Sequence, residues 1–197
     1  MLLCAHLGLT LGAVRGLSLA STALAGRNAQ PGPHAEAGAP LPPNDPAGDF
    51  IDYRLILVGS MLPDLIDKPL GITFLGNGRA FAHTLLFNLI LVAVGIVLCH
   101  RSKGSGFMIL ALSSAGHLIL DAMWQNPVTL LWPLMGPLAF TEAHSLTSWL
   151  AQMVAELPRL TPGTLAAELV GAVILIAFVT RLASKKQIRA FVKSGTF

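Results

Sequence analysis

Residues 80–99 read AFAHTLLFNLILVAVGIVLC, twenty residues with no acid, lysine or arginine and a single histidine, His83. A helix rises about 1.5 Å per residue and a bilayer's hydrocarbon core is about 30 Å thick, so about 20 apolar residues cross it. This stretch predicts a membrane-spanning helix and decides the fold class. Residues 106–124 (GFMILALSSAGHLILDAMW) and 165–182 (LAAELVGAVILIAFVTRL) repeat the pattern. Two segments are weaker. Residues 2–25 are apolar but carry His6 and Arg15, and residues 55–66 (LILVGSMLPDLI) are short and end in acids. The latter predicts a half-span or a broken helix lining a cavity. The expectation is one domain over residues 1–197, an all-α polytopic membrane helical bundle with about five membrane-embedded segments.

Composition agrees. The chain is 53% hydrophobic and 12% charged, with mean hydropathy +0.66. Soluble domains carry about 25% charged residues, so a soluble enzyme and a disordered chain are both excluded. The net charge of +3 comes from the tail. Five of the thirteen basic residues lie in 181–193, where no acid occurs, leaving eight basic against ten acidic residues elsewhere. Residues 184–197 therefore read as a basic tail beside anionic lipid. With one Tyr and three Trp, base-stacking platforms are scarce, and no nucleic-acid partner is expected. Cys4 and Cys99 suggest no disulfide.

Residues 26–50 hold six of the thirteen prolines and read as a solvated linker, with His34 a loop histidine. Residues 145–157 read as an amphipathic interfacial helix. Ala23-Leu24-Ala25 resembles a signal-cleavage site, but Arg15 sits mid-segment rather than before it, which argues against removal of His6. The positive-inside rule, applied to Arg27, Arg54, Arg101, Lys103 and the basic tail, predicts a cytoplasmic C-terminus in the inner membrane and an outer N-terminus.

Ionisable residues inside membrane segments cost about 2.5–3.5 kcal/mol each at a helix centre and mark functional sites. Here they are His6, Asp64, Asp67, His83, His117 and Asp121. Asp64 and Asp67 share a helix face at i, i+3, as do His117 and Asp121 at i, i+4. On the predicted path all six fall at the non-cytoplasmic end. Three imidazoles and three carboxylates suit a divalent metal, Zn²⁺ or else Mn²⁺ or Fe²⁺, as one or two ions. The plainer reading makes them helix-packing hydrogen bonders or ion pairs, such as Asp67 with Lys68 or Asp64 with Arg79. His100 and His144 read as interfacial, and Trp124, Trp132 and Trp149 as an aromatic belt.

The segments GSMLPDLIDKP (59–69), RAFAHTLLF (79–87), GHLILDAMW (116–124) and LLWPLMG (130–136), preceded by His6, resemble the YdjM-like family of membrane-bound, metal-dependent hydrolases. That family looks distantly similar to zinc-dependent phospholipases C. The resemblance implies that His6, Asp64, Asp67, His83, His117 and Asp121 hold metal, with Arg79 close by. Linker 26–50 departs from the tighter joins of many relatives.

The expected chemistry is hydrolysis of a phosphoester on a membrane lipid or lipid-linked substrate by metal-activated water. Asp64 or Asp67 would serve as general base, and Arg79 would bind phosphate oxygens. No Gly-rich phosphate loop, Gly-x-Ser-x-Gly elbow or His-Glu-x-x-His helix occurs. The rivals are a metal-ion or proton transporter and a structural membrane protein.

Overall fold

The computed structural model describes residues 3–28, 51–71, 74, 78–101, 104–138, 147, 151, 154, 155 and 161–195. Residues 29–50, His34, Lys103, His144, Trp149 and most of 145–157 lie outside the described residues, and the readings made of them with them. The described residues form helices α1 (Leu3–Asn28), α2 (Tyr53–Leu70), α3 (Leu85–His100), α4 (Gly106–Leu120), α5 (Pro127–Leu130), α6 (Pro162–Ser184) and α7 (Ile188–Ser194), with a 3-10 turn at Met123–Gln125. No strand occurs among them, so the fold is all-helical.

Several expected boundaries change, each for a local reason. Helix α1 runs on to Asn28, into the stretch read as linker. Helix α2 is not broken; it continues through Pro63 to Leu70. Proline forfeits one backbone hydrogen bond, and close packing against α4 supports the helix there. A Cβ on Gly59 would lie 2.5 Å from the Leu110 carbonyl oxygen, so only glycine permits this approach. Helix α3 starts at Leu85 instead of residue 80, because residues 80–83 turn around the Asp67 carboxylate and Thr84 caps the helix, accepting from Phe87 N–H at 3.1 Å. Helix α4 stops at Leu120, where Asp121 closes it and Ala122 adopts φ 50°, turning the chain left-handed.

These shortenings bear on the span count. At 16 and 15 residues, α3 and α4 are about 24 and 22 Å long, less than a hydrocarbon core. Among the described residues one helix, α6, has both the length and the hydropathy to cross a membrane: 23 residues, mean hydropathy 2.1. Five such spans are thus more than length and hydropathy carry.

Helix α1 packs on α6 and α2, α2 on α4, and α4 on α3. Gly8 and Gly171 bring α1 and α6 backbone to backbone, with no room for a side chain at either position. Polarity runs inside out. Leu89, Ile90, Leu169, Val173 and Ile176 are exposed, whereas His6, Asp67, His83, Asn88, Ser114 and His117 are buried. Among water-exposed folds this distribution would be costly; in lipid it is the stable one. One end holds an apolar core of Leu11, Tyr53, Ile56, Phe178 and Leu182. The polar residues gather at the other.

Candidate metal centre

The start of α1, the last turns of α2, the turn before α3 and the end of α4 meet at this polar end. His6, Asp64, Asp67, His83, His117 and Asp121 are brought together there, across as many as 115 residues of chain.

Asp67 organises the loop. It is fully buried. Its Oδ1 accepts from Ala82 N–H at 2.9 Å, and its Oδ2 accepts from Ala80 N–H at 2.8 Å, His83 N–H at 3.1 Å and His83 Nδ1 at 2.7 Å. Both oxygens already accept hydrogen bonds and Asp67 is in neither group of three candidate ligands; it orients His83. The carboxylate accepts a hydrogen bond from the proton on His83 Nδ1, so that in the neutral imidazole Nε2 is the lone pair facing the cluster. His117 is oriented in the same way by a backbone group: its Nδ1 lies 2.7 Å from the Ser60 carbonyl oxygen, which can only accept. Its Nε2 is therefore also a lone pair.

The two Nε2 atoms lie 3.3 Å apart. Two acceptors at that distance repel unless a cation or proton lies between them. Carboxylates surround them: Asp64 Oδ1 lies 3.6 Å from His83 Nε2 and 3.8 Å from His117 Nε2, and Asp121 Oδ2 lies 3.9 Å from His83 Nε2. Ligands held at about 2.0–2.2 Å in a tetrahedron are roughly 3.3–3.6 Å apart, close to these separations. The donor set therefore fits a divalent cation. Two groups of three have ligand atoms within 4.8 Å of one another, Asp64–His83–His117 and His6–His117–Asp121. Both need His117, which has one nitrogen to offer.

His6 stacks on His117, ring centroids 4.0 Å apart, and its Nε2 is 3.1 Å from Asp121 Oδ1. Its Nδ1 is buried with no partner among the described residues. Asp121 Oδ2 accepts from Arg79 Nε at 3.0 Å, and Asp64 Oδ2 accepts from Lys68 Nζ at 2.6 Å. These replace the Asp64–Arg79 and Asp67–Lys68 pairs suggested by sequence. Arg79 and Lys68 are 45% and 40% exposed, so each cation reaches outward from a buried carboxylate.

A family model described as YdjM inner membrane protein matches residues 6–188. The chain belongs to the YdjM inner membrane protein family. The family match opens on His6 and takes in every residue of the cluster. No curated protein and no solved structure matches the chain.

Other parts of this YdjM-family site escape a reading by spacing. The Ser60 carbonyl cannot be seen in a sequence, and Lys68 was placed with the wrong acid. Asn88 was visible as a polar residue in an apolar run. It donates from Nδ2 to the Ala82 and Thr84 carbonyls at 3.2 and 3.0 Å and accepts from Ser114 Oγ at 2.8 Å, buttressing the His83 turn. Glu168, the single acid of α6, accepts from Ala5 N–H at 3.1 Å and so caps the first turn of α1, beside His6.

Proposed function

We propose that this chain is a membrane-embedded, metal-dependent hydrolase that cleaves a phosphoester of a lipid or lipid-linked substrate. The observation that carries the reading is the pair of imidazole Nε2 atoms 3.3 Å apart, ringed by Asp64 and Asp121. Asp64, His83 and His117 would hold one divalent ion, with Asp121 beside them; zinc suits the mixed N and O donors, and Mn²⁺ or Fe²⁺ are alternatives. Such an ion acidifies water and polarises a phosphoryl oxygen.

The chain's own residues supply the rest. Asp67 and the Ser60 carbonyl fix the tautomers of His83 and His117. His6 holds Asp121 in place. Arg79 and Lys68, exposed on one side and anchored to acids on the other, present donors to an anionic head group. The site lies at one end of the bundle, where a lipid head can reach it while its chain stays in hydrocarbon. In our reading that end is non-cytoplasmic and the C-terminus cytoplasmic; a C-terminal tag accessible from outside the cell would overturn this orientation. Similarity to zinc-dependent phospholipases C rests on the kinds of residue alone.

Transport has less support. The groove between α1 and α4 near the cluster is lined by apolar residues apart from Thr10 and Ser113, a poor path for an ion. The test is metal content after purification in detergent, paired with turnover of a phospholipid and lipid-phosphate panel with and without chelator. About one ion per chain, lost in His117→Ala, and chelator-sensitive turnover are expected. Absence of bound metal in wild type would sink the proposal, and metal flux in liposomes without turnover would favour transport.

A further inference from the structure

We infer that the groove between α1 and α4 seats one hydrocarbon chain of the lipid whose phosphate lies at the metal centre, an inference that rests on the hydrolase reading above. The groove encloses about 640 Å³ and its lining is almost wholly apolar. Its α1 wall comes within one helical turn of the site, at Thr10. His6, Thr10, Ala13 and Leu17 are spaced i, i+4, i+7, i+11, one stripe on one face of α1. Thr10, Ala13 and Leu17 line the groove, and His6 heads the stripe in the cluster. On α4 the lining includes Leu112, Gly116 and Ile119, and Gly116 immediately precedes His117.

Exposure selects the occupant. Leu17, Leu112 and Ile119 are 71%, 57% and 65% exposed, so the groove opens sideways and a chain enters without leaving hydrocarbon. A Cβ at Gly116 would meet nothing within 4 Å, which leaves open space beside His117.

Thr10 adds a polar mark at the junction. Its hydroxyl is buried and has no hydrogen-bond partner among the described residues. One turn from His6, it lies where a lipid changes from polar head to chain, and an ester or phosphate oxygen would satisfy it. Arg79 and Lys68 beside the cluster complete the match to an anionic head.

The probe is a long-chain lipid phosphate with a diazirine in mid-chain, added to full-length protein in vesicles, with labelled residues mapped by mass spectrometry. Labels are expected on the α1 and α4 walls, at residues 13–17 and 109–116. Ala13→Trp should cut this labelling severalfold at unchanged metal content, because the indole fills space that the chain would occupy. Leu112→Trp repeats the test from the other wall should the first variant fold poorly. Equal labelling by a chain-matched lipid lacking phosphate would make the occupant ordinary bilayer lipid and overturn the inference. So would undiminished labelling in both Trp variants, or labels confined to other helices. A ratio of kcat/KM for long over short chains that falls severalfold in Ala13→Trp supports it further. Phosphate-dependent labelling blocked by Trp, with no turnover of any chain length, keeps the groove and removes the hydrolase.

Discussion

The two ends of the bundle use the same ion pair to different purposes. At one, Arg54 and Asp52 meet at 2.6 Å with 38% and 24% exposure. Asp52 caps α2, and Arg54 Nη1 donates to the Val192 carbonyl of α7 at 2.8 Å. This pair fastens chain to chain in contact with water, where such pairs are worth at most about 1 kcal/mol. At the other end Arg79 is as exposed, at 45%, but Asp121 is 4% exposed and its second oxygen faces His6. Here the arginine shields a buried acid that belongs to a larger cluster. An acid whose partners are all satisfied at the surface is a fastening. An acid kept in the interior against two facing imidazole nitrogens belongs to a candidate site.

The largest expected effect falls on the buried end. Asp67→Ala should cost about 3–5 kcal/mol, since it strips the acceptor from four buried donors, and lower the thermal midpoint in detergent by roughly 10 °C. A loss near that of an exposed pair would erase the contrast between the ends. Next, His117→Ala should abolish stoichiometric metal binding, measured by elemental analysis, while Asp52→Ala leaves it intact; metal lost from both would show that the cluster is not the binding site. Arg79→Ala should retain metal and weaken binding of a lipid phosphate about tenfold, one charge-assisted hydrogen bond's worth, read by titration against a neutral lipid.

The fastening end predicts smaller numbers. Asp52→Ala removes a helix cap worth about 1 kcal/mol and should lower the midpoint by about 2–4 °C. The smallest effect is one of pH. The Arg54 guanidinium beside Asp52 holds its carboxyl below the usual aspartate range. A lowered folded value means stability that is present above the unfolded value, about 3.9, and lost as pH falls through the folded one. The midpoint difference between wild type and Asp52→Asn should therefore be flat from pH 7 to 5 and shrink below about pH 4. A difference that instead grows with acidity would reverse the sign and detach Asp52 from Arg54.

Much of the site was legible. The six residues stood out because ionisable groups are costly in apolar segments, and periodicity assigned Asp64 and Asp67, or His117 and Asp121, to shared faces. Topology drawn from Lys and Arg brought them to one end. What stayed hidden was partnership. Asp67 and Asp64 differ by three positions and look alike in sequence, yet one is spent on the 80–83 turn and the other faces two imidazoles. The weak segment around Pro63 was misread because a proline's local penalty can be outweighed by packing, here of Gly59 on Leu110. Spans 80–99 and 106–124 were read too long, since hydropathy does not report where a carboxylate will unwind a turn or where Ala122 will reverse the chain.

By itself the sequence determined that the chain is helical and apolar outside, which residues are too polar for such an interior, and which of them share a helix. Those properties follow from composition and from the helical repeat, both local. Only the tertiary structure decided that His6 meets Asp121 across 115 residues, that Asp67 orients His83, and that two Nε2 atoms converge at 3.3 Å. The physical reason is that a helix presents a face without choosing what it faces. That choice was made between helices, by glycines that let backbones touch and by buried donors and acceptors that had to find one another in a place without water.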